Sequence, residues 1–208
     1  LEKPKNGYSG KPVSYKTNLK VLTLTATTSG QLDAAQFKYL DEDIPLDSSC
    51  RCRLGDIYLQ RGNTKELVGT AALFDINDSN FIYPDLMIRI RADEDKVTRQ
   101  YLLFALQSPS TREYLCCNAV GSAGSMPKIN QSIVERIPIP LPPLKIQKQI
   151  VAQIEEEQKL VEANTKLIEI FDGKIKAKIA EVWGEEAPAD AEPKLLWAAE
   201  EKAEYACE

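Results

Sequence analysis

Ile154, Val161, Ile168, Ile175 and Val182 stand seven residues apart through four successive intervals. This repeat restricts the fold of the chain more than any other feature in it. A straight α-helix drifts away from such a repeat, so a sequence that keeps it specifies a helix paired with another helix along a seam. Ile146, Ile150, Leu160, Leu167, Phe171 and Ile179 widen the stripe, and helix pairing is assigned to Ile154, Val161, Ile168, Phe171, Ile175 and Val182. Asn164, on the edge of the seam, is placed to set its register. Before the helix runs Ile137-Pro-Ile-Pro-Leu-Pro-Pro143, whose alternating prolines enforce an extended path. After it, Gly184 is a natural stop behind Trp183. At ~1.5 Å per residue, 145–183 would reach roughly 58 Å. That exceeds the expected width of the domain before it, so much of the seam needs a partner from elsewhere.

Residues 1–143 predict a mixed, strand-rich globular domain, which makes the chain α+β. Strands are expected over 21–27 (VLTLTAT), 56–60, 67–74 and 81–91, separated by turn signals at Ser29-Gly30, Arg61-Gly62-Asn63 and Asn77-Asp78-Ser79-Asn80. One helix is expected over 97–118, and Asn130 is suited to cap a short helix reaching Val134. The division is thus a globular domain at 1–143, a long helix at 144–183, and a tail at 184–208 that is either disordered or a short docking helix around Leu195, Leu196 and Trp197.

Charge follows the same division. Residues 1–143 hold 17 Lys/Arg against 16 Asp/Glu, the helix 7 against 7, and the tail 2 against 8. The net charge of −5 therefore resides mostly in the tail, and the globular part is close to neutral. Histidine is absent, which removes Ser-His and Cys-His nucleophilic catalysis and the usual neutral-pH proton shuttle. The five cysteines (Cys50, Cys52, Cys116, Cys117 and Cys207) are odd in number and too cramped for a secreted disulfide framework. They are also too close for a four-thiolate zinc site. Reduced thiols in a cytoplasmic protein, with no metal site, are expected. No signal-peptide pattern or membrane-length apolar run is present.

One motif suggests catalysis. Pro84-Asp85 followed by Glu94-Asp95-Lys96 matches, in order, a nuclease pattern in which two carboxylates hold a metal ion and a lysine polarises water. The nine-residue gap is short for two strands to bring these groups together, so a strand followed by a polar turn is the preferred reading. Three polar segments fit nucleic acid better. Gln60-Arg61-Gly62-Asn63-Thr64-Lys65 joins two strands; Arg pairs with guanine, Asn or Gln with adenine, and Lys serves phosphates. Gly121-Ser-Ala-Gly-Ser-Met-Pro-Lys-Ile-Asn130 offers small residues with Lys128 and Asn130, and the 6–12 segment offers Tyr8 and Lys11. The candidate DNA-binding residues are Tyr8, Lys11, Gln60, Arg61, Asn63, Lys65, Lys128 and Asn130. No catalytic residue is assigned.

Several segments together resemble the specificity subunit of type I restriction-modification systems. They are NGYSGKPV, LTLTATTSG, DIYLQRGNTKELVG, FIYPDLMIRIR and the run NAVGSAGSMPKINQSIVERIPIPLPPLKIQKQIV, followed by the long helix. The resemblance covers about Asn6 to Val182. Its most specific stretch is the small-residue loop, PKIN, the proline-rich strand and the PPLxxQ that opens the helix. It implies a non-catalytic subunit whose target-recognition domain reads one half of a split DNA sequence, and whose helical region serves as spacer and docking site. The implied partners are double-stranded DNA, modification (methyltransferase) subunits that use S-adenosylmethionine on adenine, and motor-nuclease restriction subunits that use ATP and magnesium. No cofactor is implied on this chain. Which residues touch bases is not carried by the resemblance, because recognition domains vary with their targets.

The family pattern has two recognition domains and two helical regions, whereas this chain shows one of each and begins at Leu1. The expectation is either part of a longer subunit or a half-subunit that dimerises through its helix. The alternatives are the recognition domain of a fused methyltransferase-endonuclease, a metal-dependent nuclease using Asp85, Glu94 and Lys96, and a coiled-coil adaptor with no DNA role.

Overall fold

The structure is a computed structural model that describes residues 2–121 and 126–184. It divides into two compact units, Leu1–Val151 and Ala152–Glu208. The acidic residues after Gly184 and residues 122–125 of the small-residue loop lie outside the described residues.

Two four-stranded sheets build the first unit. In one, β1 (Lys5–Asn6), β8 (Met87–Ile90), β5 (Ile57–Gln60) and β6 (Ala71–Leu73) lie side by side in that order, all antiparallel. In the other the order is β2 (Pro12–Val13), β4 (Phe37–Leu40), β3 (Leu19–Leu22) and β7 (Phe81–Ile82), with β3 and β7 parallel. Strand β5 is buried on both faces, and its two-residue period sorts its side chains. Tyr58 enters a core with Leu22, Leu40, Phe74, Tyr83 and Met87, while Ile57 and Leu59 enter a second core with Ile88, Leu102, Leu106, Leu115 and Ile129. The strand-rich α+β architecture expected from the sequence is present, as is the long helix, α4 (Leu144–Trp183).

Several local expectations are corrected, each for an identifiable reason. The strand expected over 21–27 ends at Leu22, and Leu24–Thr27 forms a 3₁₀ turn. There the hydroxyls of Thr27 and Thr28 both donate to the Leu24 carbonyl, a local bond that competes with a ladder. The strand expected over 81–91 breaks at Pro84, which lacks a ladder donor, so Asp85 and Leu86 form a turn between β7 and β8. Of the expected 67–74 strand only Ala71–Leu73 pairs, because Gly69 turns the chain with φ of 75°. The single helix expected over 97–118 is two, α1 (Arg99–Gln107) and α2 (Pro109–Asn118), with Pro109 in the first turn of the second and Ser108 capping it through the Thr111 N–H. Strands β1, β2 and β4 were not anticipated. The cap expected at Asn130 is formed: its side chain accepts from the Ile133 N–H at 2.9 Å and opens α3 (Gln131–Glu135).

The PPLxxQ motif has a structural explanation. Gln147, in the first turns of α4, is fully buried. Its Nε2 donates to the carbonyls of Lys96 (2.9 Å) and Pro142 (2.8 Å), and its Oε1 accepts from the Thr98 N–H (3.0 Å). One side chain thus fastens the start of α4 to the residue that caps α1. The proline strand is held beside it, where the Tyr101 hydroxyl donates to the Pro140 carbonyl at 3.0 Å. In the second unit, Val161, Ile168, Phe171, Ile175 and Val182 are each more than half exposed, and Ile154 is partly buried. Gly184 ends the helix with φ of 71°.

Candidate nucleic-acid interface

Two polar loops more than sixty residues apart in sequence are joined edge to edge. At the end of β5 the chain continues straight into Arg61 and Gly62, and Gly62 forms a β-bridge with Lys128. The Ile129 N–H donates to the Arg61 carbonyl at 2.8 Å, and Lys128 pairs in turn with Val120 through two backbone bonds of 2.8 and 2.9 Å. At this crossing a Cβ on Gly62 would meet Lys128 Cγ at 3.1 Å and Met126 Sδ at 3.2 Å, both on flexible side chains. The main chain at Arg61–Gly62 therefore lies against that at Lys128–Ile129, and Asn63, Lys65 and Asn130 follow within three residues of that joint.

Arg61 is half-buried. Its backbone N–H donates to the Leu86 carbonyl at 2.7 Å, and its Nη1 donates to the Asp85 carbonyl at 3.3 Å. The buried Nε has no partner among the described residues. With Nη1 engaged and Nε buried, Nη2 is the part of the guanidinium left to serve a base edge or a phosphate. Lys65 and Lys128 are exposed. The Asn130 oxygen is engaged as the α3 cap, while its N–H₂ group has no partner among the described residues. Asn63 is partly buried, with Nδ2 donating to Gln60 Oε1 at 2.6 Å and Oδ1 accepting from the Thr64 N–H at 2.8 Å.

Gln60 is taken off this surface. It is completely buried, and its Nε2 donates to the Leu24 carbonyl at 2.9 Å and to Thr27 Oγ1 at 3.1 Å. A side chain so enclosed supports its neighbours and does not reach a base. Tyr8 and Lys11 are both tied to Glu42. The Tyr8 hydroxyl donates to Glu42 at 2.6 Å, and the same carboxylate accepts from the Lys11 N–H at 3.1 Å. That hydrogen bond, and the charge of Glu42 beside it, hold the Tyr8 phenol above its ordinary pKa. The Tyr8 backbone bridges Pro84, next to the turn whose carbonyls hold Arg61. A cavity of about 350 Å³ elsewhere, lined by Ile90, Val97, Leu102, Leu106, Val134 and Ile139, is mainly apolar and carries none of the candidate DNA-binding residues.

The turn holding residues 61–69 is clamped from behind, which sequence reasoning missed. From α2, Arg112 donates to the carbonyls of Val68 (2.6 Å) and Glu66 (2.7 Å), and the Cys116 thiol donates to the Lys65 carbonyl at 3.2 Å. An arginine aimed at main-chain carbonyls leaves no composition signal, so nothing in the sequence pointed to it.

The nuclease grouping is not assembled. Asp85 and Glu94 lie beyond opposite ends of β8, Lys96 pairs with Asp93 at 2.9 Å, and Glu94 pairs with Arg99 at 2.7 Å. Among the described residues no group of three or more acidic or cysteine side chains is arranged to hold a metal ion. The free cysteines Cys50 and Cys52 are buried, Cys116 is partly buried and Cys117 is exposed, while Cys207 lies outside the described residues. No described helix is long and apolar enough to cross a membrane.

Residues 9–170 match the family described as the type I restriction modification DNA specificity domain. The EcoKI type I restriction enzyme specificity subunit of Escherichia coli K12 is 27% identical over 158 residues, covering 75% of this chain and 34% of that protein. The EcoEI specificity subunit of Escherichia coli is 31% identical over 102 residues, covering 49% of this chain and 17% of that protein. In fold, the chain resembles the crystal structure of the HsdS subunit from Thermoanaerobacter tengcongensis, with a TM-score of 0.57 at 20% identity over 79% of this chain and 43% of that one. The chain spans less than half the length of each of these relatives. With the matched region covering most of its 208 residues, the chain belongs to the type I restriction-modification DNA specificity family.

Proposed function

We propose that this chain reads one part of a DNA target for a type I restriction-modification complex and itself performs no chemistry. The observation that carries the reading is the joining of residues 61–65 to 126–130 by the Gly62–Lys128 bridge and the Ile129–Arg61 hydrogen bond. On this reading the joint brings base-reading residues (Arg61, Asn63) near phosphate-seeking ones (Lys65, Lys128), the division of labour that DNA interfaces use. Family membership supports the same reading. The near-neutral charge of 1–143 implies modest non-specific affinity, so partner subunits supply much of the grip on the duplex.

On this reading, modification subunits carry S-adenosylmethionine and methylate adenine, restriction subunits carry ATP and magnesium, and this chain tells them where to act. The exposed stripe of α4 pairs with a second helix, either from a second copy or from a further part of the same subunit. The test is selection from randomised duplex DNA by the full chain together with its methyltransferase subunits. Enrichment of a defined sequence supports the function; recovery of unselected duplex refutes it.

A further inference from the structure

Asn63 and Gln60 form a relay with only one consistent arrangement of donors and acceptors. Both Thr27 and Thr28 use their hydroxyl protons on the Leu24 carbonyl, at 3.2 and 3.1 Å. Around the end of the buried Gln60 side chain there are therefore only acceptors: the Leu24 carbonyl at 2.9 Å, Thr27 Oγ1 at 3.1 Å and Thr28 Oγ1 at 3.4 Å. The amide nitrogen of Gln60 must face them, so its oxygen must face Asn63. Asn63 must then turn its nitrogen to Gln60, at 2.6 Å, leaving its oxygen to accept from the Thr64 N–H at 2.8 Å. A flipped Asn63 amide would set oxygen against oxygen and N–H against N–H. An asparagine amide has two donor hydrogens and two acceptor lone pairs. One of each is occupied, so one donor and one acceptor remain to this partly exposed side chain.

A donor beside an acceptor is the complement of the adenine major-groove edge, which offers the N7 acceptor and the N6 donor. Resting on the DNA-reading function above, we propose that Asn63 reads an adenine, with Gln60 as the positioning residue that holds its amide in the reading orientation. Gln60 does not touch DNA; it transmits the polarity of the 3₁₀ turn at Leu24–Thr27 to the reading edge.

The experiment is the same randomised-duplex selection, run with wild type, Asn63→Asp and Gln60→Met, each assembled with methyltransferase subunits and checked for native thermal unfolding. Asn63→Asp replaces the donor by an acceptor on a surface loop and tests the proposal even where Gln60→Met fails to fold. The expected result is a wild-type sequence with adenine at one position. Asn63→Asp shifts preference there toward a donor edge such as cytosine, and Gln60→Met relaxes the same position, each losing discrimination on the order of tenfold. Other positions keep their preferences, a pattern that mere loss of stability would not produce. A wild-type sequence that both variants select unchanged overturns the proposal and leaves the DNA-reading function standing. So does a shift at a position where wild type does not choose adenine. A wild-type complex that enriches nothing overturns both.

Discussion

The N–H of Ile129 donates to the carbonyl of Arg61 at 2.8 Å, which makes the end of one loop the continuation of another. Arg61 is also held at its own N–H by the Leu86 carbonyl, so its backbone is fixed from two sides. Its side chain leaves that anchor half-buried, with part of its donor fork unengaged. Arg61→Ala should weaken binding to the selected sequence by about 1–3 kcal/mol and binding to random duplex much less. Titration of both duplexes at one salt concentration checks this. Equal losses on both would reduce Arg61 to a phosphate contact.

The buried Gln147 holds three main-chain groups of the first unit: the Thr98 N–H and the carbonyls of Lys96 and Pro142. Gln147→Leu fills a similar volume but removes all three bonds. A loss of about 1–3 kcal/mol in urea-induced unfolding is expected, since the freed groups are only partly enclosed. An unfolding midpoint equal to wild type would show that the fastening is dispensable.

Gly7 lies where a Cβ would come within 2.2 Å of both the Tyr83 and Pro84 carbonyl oxygens. Both are backbone atoms beside the turn that holds Arg61, and neither can swing away. Gly7→Ala should therefore cost at least the ~1–3 kcal/mol typical of overpacking, lower the melting temperature, and disturb the Arg61 edge as well. Gly62→Ala presses only on the flexible side chains of Lys128 and Met126, so its melting temperature should stay near wild type. Paired thermal melts distinguish the two sites.

Cysteine labelling should follow burial and thiolate character. Burial pushes the Cys52 thiol well above its ordinary pKa, and Cys50 is enclosed beside it. Only the thiolate reacts. Among the described cysteines, iodoacetamide should modify Cys117 first, Cys116 more slowly because its thiol is tied to the Lys65 carbonyl, and Cys50 and Cys52 only on unfolding. Timed peptide mass spectrometry checks the order; early modification of Cys52 would mean that the first core opens readily.

The elements legible in the sequence were those whose signal is local and repeated. The helix through Val161 and Ile168 announces itself by spacing, and the Asn130 cap by residue type and position. Strand β5 was equally plain, with turn residues after it and branched and aromatic side chains within it. Most of the failures have a common cause. Leu24–Thr27 alternates like a strand, but Gln60, thirty-six residues away, donates to its first carbonyl and helps to settle it as a turn. Strands β1 and β2 are two residues each and exist because a partner lies beside them, whereas β4 (FKYL) carries an alternating aromatic signal that the sequence reading passed over. The candidate interface divided along the same line. Arg61, Asn63 and Lys128 could be picked by chemistry, but that their loops meet depends on a bridge between distant segments. Gln60 was chosen for its residue type and is buried, while Arg112 was overlooked because its targets are carbonyls.

The bridge between Gly62 and Lys128 also bears on how such a chain could acquire a new target. A genetic crossover between those two codons would mate half of one reading edge with half of another. Inherited loops shaped for different neighbours would then have to share one seam. Exchange that preserves a working edge must carry the stretch from Gly7 to Asn130 as one cassette, with its breakpoints in the flanking helix or upstream. Reshuffling of whole recognition units, and not gradual mixing within them, is the route this architecture leaves open to a new sequence preference.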